Sequence, residues 1–269
     1  MKAKKLVPLL LIGLFLVTLE LYLLRYSDFV GNIFYLMSPF LAVCFGIYAF
    51  LTYRISNAHG QALGLIGLGL LFFFVGDFIF FWYQFVSHTN PYPSMADVFY
   101  LTAYPLLFAG FIREATVHKV NWRNFNKLVL ILIILILLFL AIIVSYFGVY
   151  LAYTAGDSKL SNFISIAYGV GDLILIVPSL FILKIALDYR GGKLFYSWAL
   201  MLLGLMSMLT GDILFAIFKN SYTALVWPYT LIDIAYVASY LLFAYSFYYT
   251  GRVIKDLHQK MIKPAADKS

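Results

Sequence analysis

Eight runs of apolar residues follow one another along this chain, and each is about long enough to cross a lipid bilayer. The runs cover residues 6–24, 30–53, 61–86, 95–112, 127–150, 162–187, 193–218 and 228–250. A membrane-spanning helix needs about 20 such residues. The runs are continuous rather than alternating, which excludes a transmembrane β-barrel. Only 12% of the residues are charged, about half the share in a soluble domain. The sequence therefore predicts an all-α integral membrane protein with eight transmembrane helices.

The positions of lysine and arginine predict how these helices are oriented. With the N-terminus in the cytoplasm, sixteen of the 19 lysines and arginines fall on the cytoplasmic side, and Arg25, Lys159 and Lys219 fall outside. Because positive residues accumulate on the cytoplasmic side, we expect a multi-pass protein of the cell membrane with both termini in the cytoplasm. This topology accounts for the net charge of +7 without a nucleic-acid partner. The lipid bilayer is the expected partner.

Two sequence motifs occur twice and in the same order. Gly76-Asp77-Phe-Ile-Phe80 in the third run recurs as Gly211-Asp212-Ile-Leu-Phe215 in the seventh. Asp97, Tyr100 and Tyr104 in the fourth run recur as Asp233, Tyr236 and Tyr240 in the eighth. We expect a duplicated four-helix unit, residues 1–125 and 126–251, followed by a basic cytoplasmic tail, residues 252–269. Four helices return the chain to the same side of the membrane, so the two repeats are expected to be parallel.

Acidic residues inside the apolar runs are the strongest indication of a functional site. In the predicted topology six of them lie toward the external face: Glu20, Asp77, Asp97, Asp172, Asp212 and Asp233. A charged side chain at the centre of a membrane helix costs roughly 3 kcal/mol, so it needs a role or a partner. We expect Lys219 and the other external cations at the membrane edge, too far out to pair with these acids. The acids are then protonated, hydrogen-bonded to tyrosines or neutralised by a bound cation.

Tyrosines accompany these acids at helical spacing, which places them on the same helix faces. We expect these faces to turn inward and form an outward-facing acidic and aromatic pocket. Its predicted residues are Asp77, Asp97, Tyr100, Tyr104, Tyr168, Asp172, Asp212, Asp233, Tyr236 and Tyr240. Such a pocket suits a small cationic or amphiphilic ligand, through ion pairing and cation–π attraction. Each aspartate–tyrosine pair is equally compatible with a hydrogen bond that only holds two helices together.

The histidines give no indication of a metal centre. His59, His88, His118 and His258 all fall in predicted loops or in the tail, and none lies at helical spacing from another. Zinc and haem sites inside a bundle need ligands on facing helices. We therefore expect no metal and no cofactor.

The segment from Gly76-Asp77 to the motif Pro93-Ser94-Met-Ala-Asp97-Val-Phe-Tyr100-Leu-Thr-Ala-Tyr104 resembles a multi-helix membrane region of prokaryotic signalling proteins. In those proteins this region precedes diguanylate cyclase, phosphodiesterase or kinase modules. The resemblance implies a sensory module that binds a ligand through these residues and their second copy. It also implies a cytoplasmic signalling partner. This sensor hypothesis is the leading one, and it does not require the chain to be an enzyme.

A second resemblance is to the lysoplasmalogenase family of eight-helix membrane hydrolases. The chain is similar to that family in its helix count, in Gly76-Asp77 on the third helix and in Asp212 on the seventh. This resemblance implies that Asp77 and Asp212 are catalytic and act on a lysolipid-like substrate, one activating water and the other serving as the acid. A cation or proton transporter is a third hypothesis. The inner half of the predicted bundle has almost no polar side chains to complete a path for it.

Overall fold

The computed structural model describes residues 3–25, 27–119, 127–154 and 156–266. The helices are α1 (Ala3–Leu24), α2 (Asp28–Tyr53), α3 (Ala58–Phe81), α4 (Met95–His118), α5 (Lys127–Val144), α6 (Lys159–Asp188), α7 (Leu194–Thr223) and α8 (Tyr229–Ala266). π-Helical turns extend α3 over Trp82–Val86 and α5 over Ser145–Tyr150. Within the described residues, eight helices are long and apolar enough to cross a membrane, and no strand is formed. The predicted all-α chain with eight candidate spans is confirmed, which indicates a multi-pass membrane protein.

Polar side chains fix the points at which several helices begin. Ser27, Asn57 and Ser158 cap α2, α3 and α6 by accepting hydrogen bonds from backbone amides of the first turn. Helix α4 begins with a capping box, in which the Asp97 carboxylate accepts a hydrogen bond of 2.6 Å from the Ser94 amide. Such caps satisfy amides that have no partner within the helix. They set the helix register, and with it the direction in which the acids point.

Six of the helices form a closed ring. Around the ring, α2 contacts α3, α3 contacts α4, α4 contacts α6, α6 contacts α7, α7 contacts α8, and α8 returns to α2. Helix α1 packs outside the ring against α2 and α8, and α5 packs outside it against α6. Most side chains of α5 are exposed, among them Leu128 and Phe139. A helix that is apolar on all sides and exposed on most of them is suited to contact with lipid chains.

Glycines allow the closest approach between the ring and α5. A Cβ atom added to Gly169 of α6 would lie 2.1 Å from the carbonyl oxygen of Gly148, in the π-helical end of α5. No side chain fits in that space. Small residues at such crossings let two backbones approach and increase the packing contact between membrane helices.

The helix ends differ most from the predicted ones in α4 and α8. The sequence predicts that the fourth run ends at residue 112, but α4 continues to His118. The eighth run is predicted to end at residue 250, but α8 continues to Ala266, so residues 252–266 of the predicted tail are helical. Hydropathy reports where the apolar surface ends, whereas the helix continues as long as its backbone hydrogen bonds persist. His59, His118 and His258 accordingly lie in helices rather than in loops or a tail.

Candidate functional site

A cavity of about 420 Å³ lies within the ring, toward the end at which α3 and α7 finish and α4, α6 and α8 begin. We call this end of the bundle the site end. All six ring helices contribute to the cavity, and the predicted site residues that line it are Asp77, Asp97, Tyr100, Tyr104, Tyr168, Asp172, Asp212, Tyr236 and Tyr240. The structure thus brings together every predicted site residue except Asp233. The volume of the cavity lies in the range of small-molecule pockets, about 300–1,000 Å³.

Asp77 is the acceptor for tyrosines from three different helices. The hydroxyl groups of Tyr100 on α4 and Tyr240 on α8 each donate to its carboxylate at 2.8 Å. The hydroxyl of Tyr35 on α2 donates at 3.3 Å. The Asp77 side chain is buried, and the three donors take the place of the water it would otherwise bind. This carboxylate therefore joins four of the six ring helices.

Asp212 and Asp172 form a second centre in the same cavity. Tyr236 on α8 donates to Asp212 at 2.7 Å. The hydroxyl of Tyr104 on α4 lies 2.9 Å from a carboxyl oxygen of Asp172 and 3.4 Å from one of Asp212. The two carboxyl groups are also within hydrogen-bond reach of each other. One tyrosine hydroxyl is thus placed between two acids.

The surroundings of Asp77 and Asp212 have the same local geometry. A Cβ atom on Gly76 would lie 2.6 Å from the Tyr100 ring, and one on Gly211 would lie 2.7 Å from the Tyr236 ring. Because each glycine has no side chain, the ring can lie across the helix and its hydroxyl can reach the aspartate that follows. The Gly-Asp motifs are therefore packing sites for a tyrosine as well as the source of a carboxylate.

Two contacts between a tyrosine and an aspartate connect the two halves of the chain. Tyr240 of α8 donates to Asp77 of α3, and Tyr104 of α4 lies within hydrogen-bond distance of Asp212 of α7. Each of these aspartates therefore contacts a tyrosine from its own half and one from the other half. The cavity exists only where the two halves meet.

Asp97 has a structural role in addition to its place in the cavity. Its carboxylate accepts the Ser94 amide in the α4 capping box, and it also accepts the Tyr168 hydroxyl of α6 at 2.5 Å. The first contact fixes the start of α4 and the second ties α4 to α6. A variant at Asp97 consequently changes both helix capping and the cavity wall.

Asp233 does not line the cavity, although the sequence predicts it as a site residue. Its carboxylate accepts the Tyr222 hydroxyl at 2.8 Å, and the Tyr222 side chain lines the cavity instead. Burial and the nearby Asp233 charge raise the pKa of the Tyr222 hydroxyl well above its usual range, so it remains a donor. Asp233 and Asp97 are matched in sequence. Their surroundings differ because the end of α7 places Tyr222 beside Asp233.

Two other charged residues that the sequence predicts toward the external face differ in their relation to the cavity. Glu20, which is not a predicted site residue, is exposed on α1, outside the ring. Lys219, predicted at the membrane edge, is the last residue of the candidate span in α7 and also lines the cavity. Its ammonium lies 3.0 Å from the Asp157 carboxylate and 5.6 Å from the centroid of the Tyr92 ring. The cavity therefore holds a cation of the protein itself against one of its aromatic rings.

Sequence reasoning also misses several polar groups. Tyr35 is a cavity residue that is absent from the predicted site, and the acid at helical spacing before it on α2, Asp28, contacts Tyr229 instead. At the end of the bundle opposite the site end, Glu114 is only 1% exposed, and its carboxylate lies 2.9 Å from the His59 ring nitrogen. That end of the bundle therefore has a partly buried polar pair, and Glu114 lies beyond residue 112, where the fourth run was predicted to end.

Comparison with family models, curated proteins and solved structures finds no match for this chain. Among the described residues, no group of three or more histidine, cysteine, aspartate or glutamate side chains is arranged to hold a metal ion. The chemistry of the cavity is that of buried carboxylates and phenol rings. This chemistry can pair with a positive charge, donate and accept protons, and enclose an apolar group.

Proposed function

We propose that this chain is a sensory module of the cell membrane that binds a small cationic or amphiphilic ligand in the acidic and aromatic cavity. The observation that carries the proposal is that four carboxyl groups line one cavity of about 420 Å³ within the ring: Asp77, Asp97, Asp172 and Asp212. Among the described lining residues, Lys219 is the single lysine or arginine, and it is paired with Asp157. The cavity therefore carries an excess of acidic groups, which a cation would balance.

The tyrosines support a cationic ligand in a second way. Their hydroxyl groups donate to the carboxylates, so the aromatic rings form much of the remaining wall. A cation within about 6 Å of an aromatic ring centroid gains roughly 0.5–2 kcal/mol. Lys219 above the Tyr92 ring is such a contact in this cavity. An organic ammonium ion would find the same combination of acid and ring deeper inside.

The rim of the cavity favours a ligand that also has an apolar part. Leu151, at the end of α5, and Ile217, on α7, line the cavity and are 46% and 40% exposed. These apolar side chains lie near the end of a membrane-spanning helix pair, where lipid chains are close. An amphiphile could hold its charged group among the carboxylates while its chain passes over this rim.

We further propose that the two halves of the chain are parallel repeats, with both termini in the cytoplasm and the site end at the external face. The matching geometry around Gly76-Asp77 and Gly211-Asp212 supports the duplication. The distribution of lysine and arginine supports the orientation. In a Cys44→Ser background, cysteines at Gly156 and Gln259 test it with a membrane-impermeant maleimide. Labelling of both from the same side of intact cells would contradict the orientation.

Choline and its uncharged isostere 3,3-dimethylbutan-1-ol test the binding proposal, with purified protein in detergent and equilibrium binding as the measurement. We expect choline to bind and the alcohol to bind at least tenfold more weakly, because only choline gains from the carboxylates. Asp77→Asn should weaken choline binding, whereas Asp233→Asn is the matched control because this equally buried acid lies off the cavity. Equal binding of choline and the alcohol, or no binding of either, would contradict the proposal. Native mass spectrometry of the same samples identifies any co-purifying ligand.

A membrane hydrolase that acts on a lysolipid-like substrate is the second candidate. The observation that favours it is that Asp77 and Asp212 both line the cavity. Asp212 also lies within hydrogen-bond reach of Asp172, which makes a carboxylic acid and a carboxylate available side by side. Turnover of a lysolipid that is lost in both Asp77→Asn and Asp212→Asn would establish this activity. Folded wild-type protein without turnover would exclude it for that substrate.

A further inference from the structure

We infer that the cavity exchanges a proton for its cationic ligand, and that this proton is held between the carboxyl groups of Asp172 and Asp212. The inference rests on the proposed function, because it concerns the same cavity and the same class of ligand. It adds that ligand binding depends on proton concentration. It also gives a role to Asp172, the acid that has no counterpart in the other half of the chain.

The first argument is the contact between the two acids. Asp172 and Asp212 lie within hydrogen-bond reach of each other, and both lie within 3.4 Å of the Tyr104 hydroxyl oxygen. That hydroxyl has one hydrogen and can donate fully to only one of them. Two ionised carboxylates in such contact, shielded from water, repel each other strongly, and pairs of this kind share one proton.

The donors around each acid indicate where the proton is held. Among the described residues, Asp212 has an unshared donor, Tyr236 at 2.7 Å, whereas the donor to Asp172 is Tyr104, whose hydroxyl also lies 3.4 Å from Asp212. Hydrogen bonds donated to a carboxylate favour its ionised form. Asp212 is therefore the ionised member of the pair. Asp172 carries the proton and donates it toward Asp212.

The other ionisable side chains of the cavity are neutral or already paired, so the Asp172–Asp212 pair is where a proton can be lost. The other titratable and charged side chains that line the cavity are Tyr92 before α4, Asp97, Tyr100 and Tyr104 from α4, Tyr168 from α6, Tyr236 and Tyr240 from α8, Asp77 from α3, Tyr35 from α2, and Lys219 and Tyr222 from α7. Phenols are neutral at physiological pH. Asp77 accepts three tyrosine hydroxyls, and Asp97 accepts one hydroxyl and a backbone amide. Lys219 is engaged by Asp157 at the mouth.

Charge balance explains why binding of a cation releases a proton from the site. Before binding, the pair holds one proton and carries a single negative charge. When a monovalent cation enters, the O–H bond of Asp172 breaks and its proton passes to water at the mouth of the cavity. Both carboxylates are then ionised and the cation balances one of them, so the net charge of the site is unchanged. A buried site that keeps its charge avoids the cost of desolvating an additional one.

Isothermal titration calorimetry with choline, in phosphate and in Tris buffer at the same pH, measures the protons released on binding. The two buffers differ in protonation enthalpy, so released protons produce different heats. For the wild-type protein we expect close to one proton released per choline bound. In Asp172→Asn we expect choline to bind with the same heat in both buffers. The matched control is Asp233→Asn, a buried acid that lies off the cavity, which should release the proton as the wild type does.

The outcomes separate this inference from the proposed function. Wild-type binding with equal heats in both buffers would overturn the exchange and leave the cation site standing. Absence of choline binding would instead contradict the proposed function. Infrared difference spectroscopy on the wild type provides a test that does not require a folded variant. We expect a protonated carboxyl band that disappears when choline is added, and its absence before choline would overturn the shared proton.

Discussion

Replacing Asp77 tests whether the carboxylates hold the ring of helices together. Interhelical side-chain hydrogen bonds in membrane proteins contribute about 0.6 kcal/mol on average and up to about 1.7 kcal/mol. Tyr100 and Tyr240 donate to Asp77 at 2.8 Å, so we assign each about 1 kcal/mol. Tyr35 donates at 3.3 Å, and a bond of that length should contribute less than about 0.5 kcal/mol. Asp77→Leu leaves all three hydroxyls without their acceptor, and we expect it to lower the free energy of unfolding by roughly 2–2.5 kcal/mol.

The assay is unfolding in mixed micelles, followed by intrinsic tryptophan fluorescence as the fraction of denaturing detergent is raised. The single variants Tyr100→Phe, Tyr240→Phe and Tyr35→Phe provide an internal ordering, because only the hydroxyl is removed and the ring packing stays. We expect the first two to be clearly less stable than the third. Two results would refute the reasoning: equal losses for all three phenylalanine variants, or an Asp77→Leu protein as stable as the wild type. The second would mean that the hydroxyls find other partners when the carboxylate is removed.

The remaining predictions concern close packing, the mouth of the cavity and the opposite end of the bundle. Gly211→Ala should displace the Tyr236 ring and cost roughly 1–3 kcal/mol of unfolding free energy, whereas Gly13→Ala, with no atom within 4 Å of the added methyl, should be neutral in the same assay. Lys219→Gln should tighten choline binding severalfold at low salt, and an effect that does not shrink at high salt would contradict an electrostatic cause. Glu114→Leu should lower stability by roughly 1–2 kcal/mol, since it leaves the His59 ring without its buried partner; unchanged unfolding would show that this contact is dispensable.

The sequence was sufficient to predict the helices and most of the cavity. Apolar runs locate the spans because a bilayer requires them, and helical spacing places Tyr100 and Tyr104 on the same face as Asp97. Both patterns lie within single segments of the chain, so they can be recognised without the tertiary structure. The orientation of the helices and the parallel repeats stay predictions that await the labelling experiment.

Several residues have a relation to the cavity that depends on contacts between distant parts of the chain. Lys219 was expected at the membrane edge, and it is the last residue of the candidate span in α7, but its side chain also lines the cavity. Asp233 matches Asp97 in sequence but lies beside Tyr222, since the segments that precede α4 and α8 differ. Tyr35 is one of three tyrosines on α2, and only the packing of α2 against α3 and α8 reveals that it reaches Asp77. No periodic pattern within one segment contains this information.

Helix α8 is one continuous rod from Tyr229 to Ala266. Tyr240, whose hydroxyl meets Asp77, and Lys260 are separated by about 30 Å of this rod, at 1.5 Å per residue. A tilt of about 10° around Tyr240 would move Lys260 by roughly 5 Å, far more than any bond in the cavity would lengthen. A small change in how tightly the cavity closes around its contents would thus become, at the far end of α8, a displacement as large as the width of a side chain.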